Sequence, residues 1–440
     1  MGAISAGCSH QHYVVNPPLT QDPGARGYAM RHLEHPDNSD SLLILMAISG
    51  GGYRAATLGY EVLDQMRRTP IVWEGQRRSL LDELDFLSGV SGGSLIAGYY
   101  ALHRAGTFDT FESDVLSQDM QAEYLGRVLS MRGLWLASSP HFGRGDLLAE
   151  VLHEHGFAGR SFGDLPRQRP LVFINATDMK HGSRFEFTQD QFDLLCADLN
   201  RFPVERAVAA SMAVPLVMSP ISLWNHRQKC QVQRPQLPTK SLADRSRFVH
   251  LVDGGLADNT GIQTALELIE ARGGIVQSAR VAGLHGIRRR VFIVVNAQLP
   301  PSAEIDDHEE TPSLVHQLAS VIDLPIDRYS SASLELLRRD IALWRAQLAF
   351  STDEQLGGTI ARDTEFHVIE ISLSAPPPGV AVPQLSSTAT ALRISTADRQ
   401  KIHHYVQEVL QADPEWQRLL QTLGSNADAN TPAPQDPPRN

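Results

Sequence analysis

The 440 residues are too many for a peptide and enough for one large domain or two ordinary ones. Apolar residues at 42% and charged residues at 20% are ordinary globular usage, which excludes disorder of the whole chain. Fifty acidic against 39 basic side chains leave a net charge of −11, which argues against nucleic acid as a partner and against broad electrostatic capture by anionic lipid.

The chain opens MGAISAGCSH. Ala6 stands where an N-myristoylation motif needs Ser or Thr. Ser5-Ala6-Gly7-Cys8 is similar to the end of a bacterial lipoprotein signal, although the basic and apolar regions that precede such a cysteine are missing. Two readings stay open: a cytoplasmic protein as the chain is written, or a cell-envelope lipoprotein anchored through Cys8 if the true start lies upstream. Residues 1–40 read as an extended polar lead containing Pro17, Pro18 and Pro23. With only Cys8, Cys196 and Cys230 present, no disulfide framework is expected, and Cys196 reads as core.

From residue 42 short apolar runs alternate with amphipathic stretches. The run 42–48 is a buried strand ended by Gly50-Gly51-Gly52, and a helix follows with Leu58, Val62, Leu63 and Met66 on one face until Pro70. A second strand at 84–90 leads into a helix with Leu95, Ile96, Tyr99 and Leu102. Further strands read at 171–175, 248–252, 291–295 and 367–373. This alternation predicts an α/β fold, a mainly parallel central sheet covered on both faces. Residues 312–350 read as helical, with Leu334, Leu337, Ile341 and Trp344 on one face. A Pro-rich linker at 375–394 precedes one more helix at 395–423, capped near Ser395 or Thr396. The polar tail 424–440 is expected to be disordered.

Three motifs fall at strand ends. Ser49-Gly50-Gly51-Gly52-Tyr53-Arg54-Ala55 bares amide N–H groups at a helix start, a setting for an oxyanion or a phosphate. It also meets a loose dinucleotide fingerprint, with Glu74 as the ribose acid. Gly89-Val90-Ser91-Gly92-Gly93 is a nucleophile-elbow pattern in its strand–turn–helix context. Val252-Asp253-Gly254-Gly255 follows a buried strand. In a parallel sheet all three would share one rim, because strand carboxyl ends face the same way.

Together these residues resemble the patatin-like phospholipase family, over roughly residues 42–373. That family pairs a glycine-rich oxyanion loop ending in Arg or Lys with a G-x-S-x-G serine and a later Asp-Gly-Gly or Asp-Gly-Ala; the stretch Ala210-Ser211-Met212-Ala213-Val214-Pro215 is also family-like. Ser49, where many members carry Asp, and Ala55, where Gly is usual, are closer to the related mammalian cytosolic phospholipases. The resemblance implies a three-layer α/β/α catalytic domain over 41–374 and hydrolysis of fatty-acyl esters of phospholipids or related lipids. It implies Ser91 as nucleophile, Asp253 as base, the N–H groups of Gly50, Gly51 and Gly52 as oxyanion hole, and Arg54 as support for that loop. Gly89, Gly92 and Gly93 shape the elbow. No cofactor or metal is called for; the expected partners are lipid and, peripherally, a membrane.

Two other readings are carried forward. A Ser-Asp-His triad would complete Ser91 and Asp253 with His285 or His367. A non-catalytic lipid- or dinucleotide-binding protein would leave Ser91 and Asp253 without roles. Among weaker signals, Arg144-Gly145-Asp146 reads as a helix start and His153-Glu154-His155 as a solvated face. Asp258-Asn259 reads as a helix cap. Leu134-Trp135-Leu136 reads equally as core or as a contact for acyl chains or membrane.

Overall fold

β1 (Leu42–Ile48) is apolar along its whole length and buried at every position, as a central strand with helices on both faces must be. The computed structural model describes residues 12–424 apart from 22–23, 25–26, 137, 231–245, 301–313 and 387–390. Cys8, the expected tail beyond 424 and the start of the helical region at Pro312 lie outside the described residues.

The other strands follow in chain order as β2 (Pro70–Trp73), β3 (Gln76–Ser79), β4 (Leu84–Val90), β5 (Leu171–Asp178), β6 (Arg184–Glu186), β7 (Ile221–Trp224), β8 (Phe248–Asp253), β9 (Ile287–Asn296) and β10 (Ile360–Ser372). β2 and β3 form a separate hairpin. The main sheet runs β10-β9-β1-β4-β5-β8-β7, with β6 paired to β5. From β10 to β5 every pairing is parallel, whereas β8, β7 and β6 join antiparallel.

The alternating faces of β1 divide the helices into two layers. Ile48 packs under Gly59 of the helix Gly52–Arg68, which contacts the helices Gly92–His103 and Thr396–Ala412. On the other face, Leu43 and Leu45 look towards the helices Gln263–Ala271 and Ile275–Val281. The long helix Leu314–Phe350 covers the same side: Leu334, Leu337, Ile341 and Trp344 are buried and Trp344 stacks near Phe292. The result is a three-layer α/β/α arrangement with a mainly parallel sheet.

Three expectations change. The strand carrying Asp253 runs antiparallel to its neighbour, so the common-rim argument fails as stated; its consequence for the site is given below. Cys196 is buried but not a simple core thiol, because it is bonded to Cys230 across 34 residues. The single C-terminal helix is two, Thr396–Ala412 and Pro414–Thr422. The break falls at Asp413-Pro414. Pro414 has no N–H to continue the ladder, and the Asp413 carboxylate accepts from Trp416 N–H at 2.7 Å to start a new helix. The described part of the N-terminal lead is extended but not loose: the buried Asn16 side chain brackets Trp224, donating to its carbonyl and accepting from its N–H.

Candidate active site

Ser91 sits where β4 ends and the helix Gly92–His103 begins, with φ of 49° and ψ of −120°. A non-glycine residue in that region stores about 1–3 kcal/mol of strain, which the surroundings must overcome. They do so by clamping both sides of the residue. Ser91 N–H donates to the Ser211 hydroxyl at 2.8 Å, and Ser91 C=O accepts from the N–H and the hydroxyl of Ser94. The turn is possible only because Gly92 follows. A side chain there would meet the carbonyl oxygen of Gly52 at 2.0 Å, so the elbow and the glycine loop are in direct backbone contact.

Asp253 reaches Ser91 from the opposite direction. β5 is level with the end of β4 at Asn175, which pairs with Val90, and continues beyond it; Asp253 pairs with Ala176. β8 therefore descends against β5 and stops at the rim. The Ser91 hydroxyl donates to Asp253 Oδ2 at 2.8 Å, and Oδ1 accepts from Gly255 N–H at 2.8 Å. Ser91 is 5% exposed and Asp253 4%. Burial pushes the Asp253 carboxyl up to about 6, against the lowering effect of those two hydrogen bonds. A hydroxyl directly bonded to a carboxylate of raised basicity can pass its proton there as the oxygen attacks.

The glycine loop lies over this pair. Ser49 fixes its base: its N–H donates to Val295 C=O and its hydroxyl accepts from Ala297 N–H, both at 2.9 Å. Arg54 donates from Nε to Ala297 C=O at 2.7 Å, so it ties the loop to the end of β9. Gly51 and Gly52 have φ of 135° and 57°, and Gly52 has no room for a side chain against Ala391. The three glycines are not equivalent donors. Gly50 N–H is shared between the backbone and side-chain oxygens of Asn259, both at 3.1 Å. Among the described residues no acceptor meets the N–H of Gly51 or of Gly52.

Two residues without an assigned role hold the parts together. The Ser211 hydroxyl accepts from Ser91 N–H and donates to Asn175 C=O at 2.5 Å, while Ser211 C=O accepts from Gly254 N–H. Ser211 thus braces three strand ends at once. Asn259 accepts from Gly50 and donates to the Ser330 hydroxyl on the long helix; only Asp258 caps, through Gln263 N–H. The A-S-M-A-V-P stretch marked Ser211, whereas nothing in Asp258-Asn259 separated cap from brace.

The histidines of the triad reading lie elsewhere. His285 is exposed before β9, at the sheet edge opposite Ser91, and His367 pairs with Val291 in the middle of β10 between Glu365 and Glu415. Glu74 also lies at the opposite edge, bonded to Ser41 and Arg288, so it does not face the glycine loop as a ribose acid would. His153 and His155 are not simply solvated, since they face Glu205 and Glu123. Arg144 begins a helix, as its context predicts. In the third tripeptide Leu136 is core while Leu134 and Trp135 are exposed.

Against known proteins, the family model described as patatin-like phospholipase matches residues 46–266, just over half of the chain. Lysophospholipase 1 of Aspergillus fumigatus, in two strains, is 37% identical over 95 residues. That match covers 21% of this chain and only 15% of the length of those curated relatives. Among solved structures, human GIVD cytosolic phospholipase A2 is similar with a TM-score of 0.45 and 12% identity, over 88% of this chain and 60% of that one. VipD from Legionella pneumophila gives a TM-score of 0.30 and 13% identity, over 88% and 67%.

Replacing Ser211 by Ala leaves Ser91 N–H and Asn175 C=O buried without this partner. Unfolding in urea should show a loss of about 1–3 kcal/mol at an unchanged slope.

Proposed function

The chain belongs to the patatin-like phospholipase family, and on that premise we propose that it is a serine acyl hydrolase. It cleaves fatty-acyl esters of phospholipids or related lipids through Ser91 and Asp253. The observation that carries the reading is the 2.8 Å contact from the Ser91 hydroxyl to Asp253 Oδ2, set under a loop with two uncommitted N–H groups.

Ser91 Oγ attacks the ester carbonyl carbon while its proton passes to Asp253 Oδ2. Negative charge develops on the carbonyl oxygen, and the N–H groups of Gly51 and Gly52 stabilise it. Gly50 is removed from the expected set of donors, since its N–H is spent on Asn259. Donors fixed in advance at such a position are each worth about 10²–10³ in rate, because they need not reorient as charge appears. Collapse of the tetrahedral species expels the alcohol, which takes the proton from Asp253. Water then gives a proton to Asp253 as it attacks the acyl-Ser91 ester; the C–Oγ bond breaks, Ser91 Oγ takes that proton back from Asp253, and the fatty acid is released. Arg54 acts through Ala297 as a support of the loop.

The substrate class is carried to a lipid surface by a second observation. Leu125, Leu129, Met131, Leu134 and Trp135 are exposed on two consecutive helices, Met120–Leu129 and Met131–Leu136, with Leu129 at 73% and Met131 at 85%. Gln121 on the first helix is bonded to Leu392, next to the Ala391 that covers Gly52. No described helix is long and apolar enough to cross a membrane. We assign this patch to peripheral contact with lipid, driven by apolar burial since the net charge is −11.

Released fatty acid, measured over a panel of phospholipid, lysophospholipid and neutral-lipid esters, tests the activity. Wild type should release it, with losses of about 10⁴-fold or more in Ser91→Ala and Asp253→Asn. His285→Ala should stay within a factor of about two, the range of an exposed side chain outside the site. A loss there as large as in Ser91→Ala would overturn the dyad.

The base must be ionised, so kcat/KM should rise with pH through an apparent pKa of about 6, that of Asp253, and level off above it. A limb centred near 4, where ordinary carboxyls titrate, would contradict a desolvated base.

Sedimentation with zwitterionic vesicles tests the patch. A variant carrying Leu129→Ser, Met131→Ser and Trp135→Ser should lose vesicle binding while it still hydrolyses a short, soluble ester at near wild-type rate.

A further inference from the structure

A cavity with about 920 Å³ of empty space, its open mouth included, lies between the helices Gln263–Ala271 and Ile275–Val281 and the sheet face that carries Leu45, Phe86, Phe173 and Phe292. It is remote from Ser91. Leu43 pairs with Arg290 on the cavity floor, five residues before Ile48 pairs with Val295 at the rim. At strand spacing this is about 16 Å back along the sheet.

One charged group is sunk in this apolar chamber. Arg290 is 4% exposed; Nη2 makes one long bond of 3.5 Å to Ile275 C=O, and Nε has no hydrogen-bond partner. The equally buried Arg206, by contrast, meets Asp146 at 2.7 Å. The acid whose field reaches Arg290 is Asp85, but its oxygens serve Arg169 at 3.0 Å and Ile44 N–H at 2.8 Å. Burial brings the Arg290 guanidinium down to about 10, which leaves it cationic at neutral pH. A desolvated cation is tolerated when an anion pairs with it, and none among the described residues does so here. The mouth has the same sign, since Arg31 and Arg272 share the single carboxylate of Asp190 at 3.9 and 2.6 Å.

We propose that this cavity is a second lipid site, binding a long-chain fatty carboxylate with its head on Arg290 and its chain along Leu45, Phe86, Phe173 and Phe292. Both halves of the ligand follow from the lining: apolar side chains from the sheet and the two helices, and one guanidinium without an anionic partner that can take a carboxylate in a fork. A neutral ester or alcohol of equal length would leave the guanidinium unpaired. The site stands whether or not Ser91 is catalytic, and the two claims are tested apart.

The test is calorimetric titration of the full chain carrying Ser91→Ala with hexadecanoate below its micelle concentration, beside its methyl ester. The carboxylate should bind about tenfold to a hundredfold more tightly than the ester, the range of a charge-assisted hydrogen bond. Arg290→Met should remove that preference, and Arg290→Lys should keep part of it. Arg290→Met should also unfold at the same or higher urea concentration than its parent, since it deletes an unpaired buried charge. Photo-crosslinking of unmutated protein with a diazirine-bearing fatty acid gives a readout that needs no variant, and labels should fall on residues 265–292 and on Leu45, Phe86 and Phe173. Equal affinity for acid and ester, unchanged preference in folded Arg290→Met, or labelling confined to residues 89–95 would each overturn the proposal.

Discussion

The pairing of Asp253 with Ala176 is the constraint on which the site depends. β4 and β5 run together and bring Ser91 to the carboxyl edge, but β5 goes further than β4 and only there is it met by β8. Because β8 runs the other way, its last residue, not its first, arrives beside Ser91. The helix Val204–Ser211 and the turn after it hold this arrangement: Ser211 C=O and Ala213 C=O receive the N–H groups of Gly254 and Asp253, and the Ser211 hydroxyl receives Ser91. Backbone strain at Ser91, desolvation of Asp253 and the fit of Gly92 against Gly52 are all local costs. The surrounding ladder of backbone bonds offsets them together, which is why the site is rigid although each part alone is unfavourable.

The motifs were legible because each is a local device. Strand, glycines and helix start within ten residues at Ser49–Arg54 and again at Gly89–Gly93, and the apolar faces of the flanking helices repeat at helical spacing. What escaped is non-local. The direction of β8 depends on which edge of β5 is free, and periodicity within 248–252 carries no sign for that. Asn259 looked like a cap beside Asp258 because its partner Gly50 lies 209 residues away. The Cys196–Cys230 bond likewise needed proximity that no spacing rule supplies. Asp413-Pro414 is different: it is a complete helix-start signal within the sequence, and the two terminal helices part there.

Electrostatics in this chain is organised by burial more than by net charge. The acidic surplus says little about the site, where one carboxylate is desolvated and bonded only to a hydroxyl and a backbone N–H. Desolvation shifts several interior groups, among them Asp253 beside Ser91, Asp85 against Arg169 at the start of β4, and Arg290 in the apolar chamber. Asp85 has one partner on each oxygen, the Arg169 guanidinium and the Ile44 N–H. Asp253 also has one partner on each oxygen but no cation, Arg290 has no anion among the described residues, and each faces a space that a ligand group would enter.

The ties that fix the glycine loop also bear on modularity. Ser49 and Arg54 are anchored on Ala297, and Gly52 and Tyr53 rest on Ala391. Both anchors lie beyond residue 266, where the family match ends. The stretch that carries the three motifs is therefore not the smallest unit that can be moved to another protein or shortened by design. A self-sufficient module has to bring β9 and the segment around Ala391 with it, although neither contains a residue of the reacting pair.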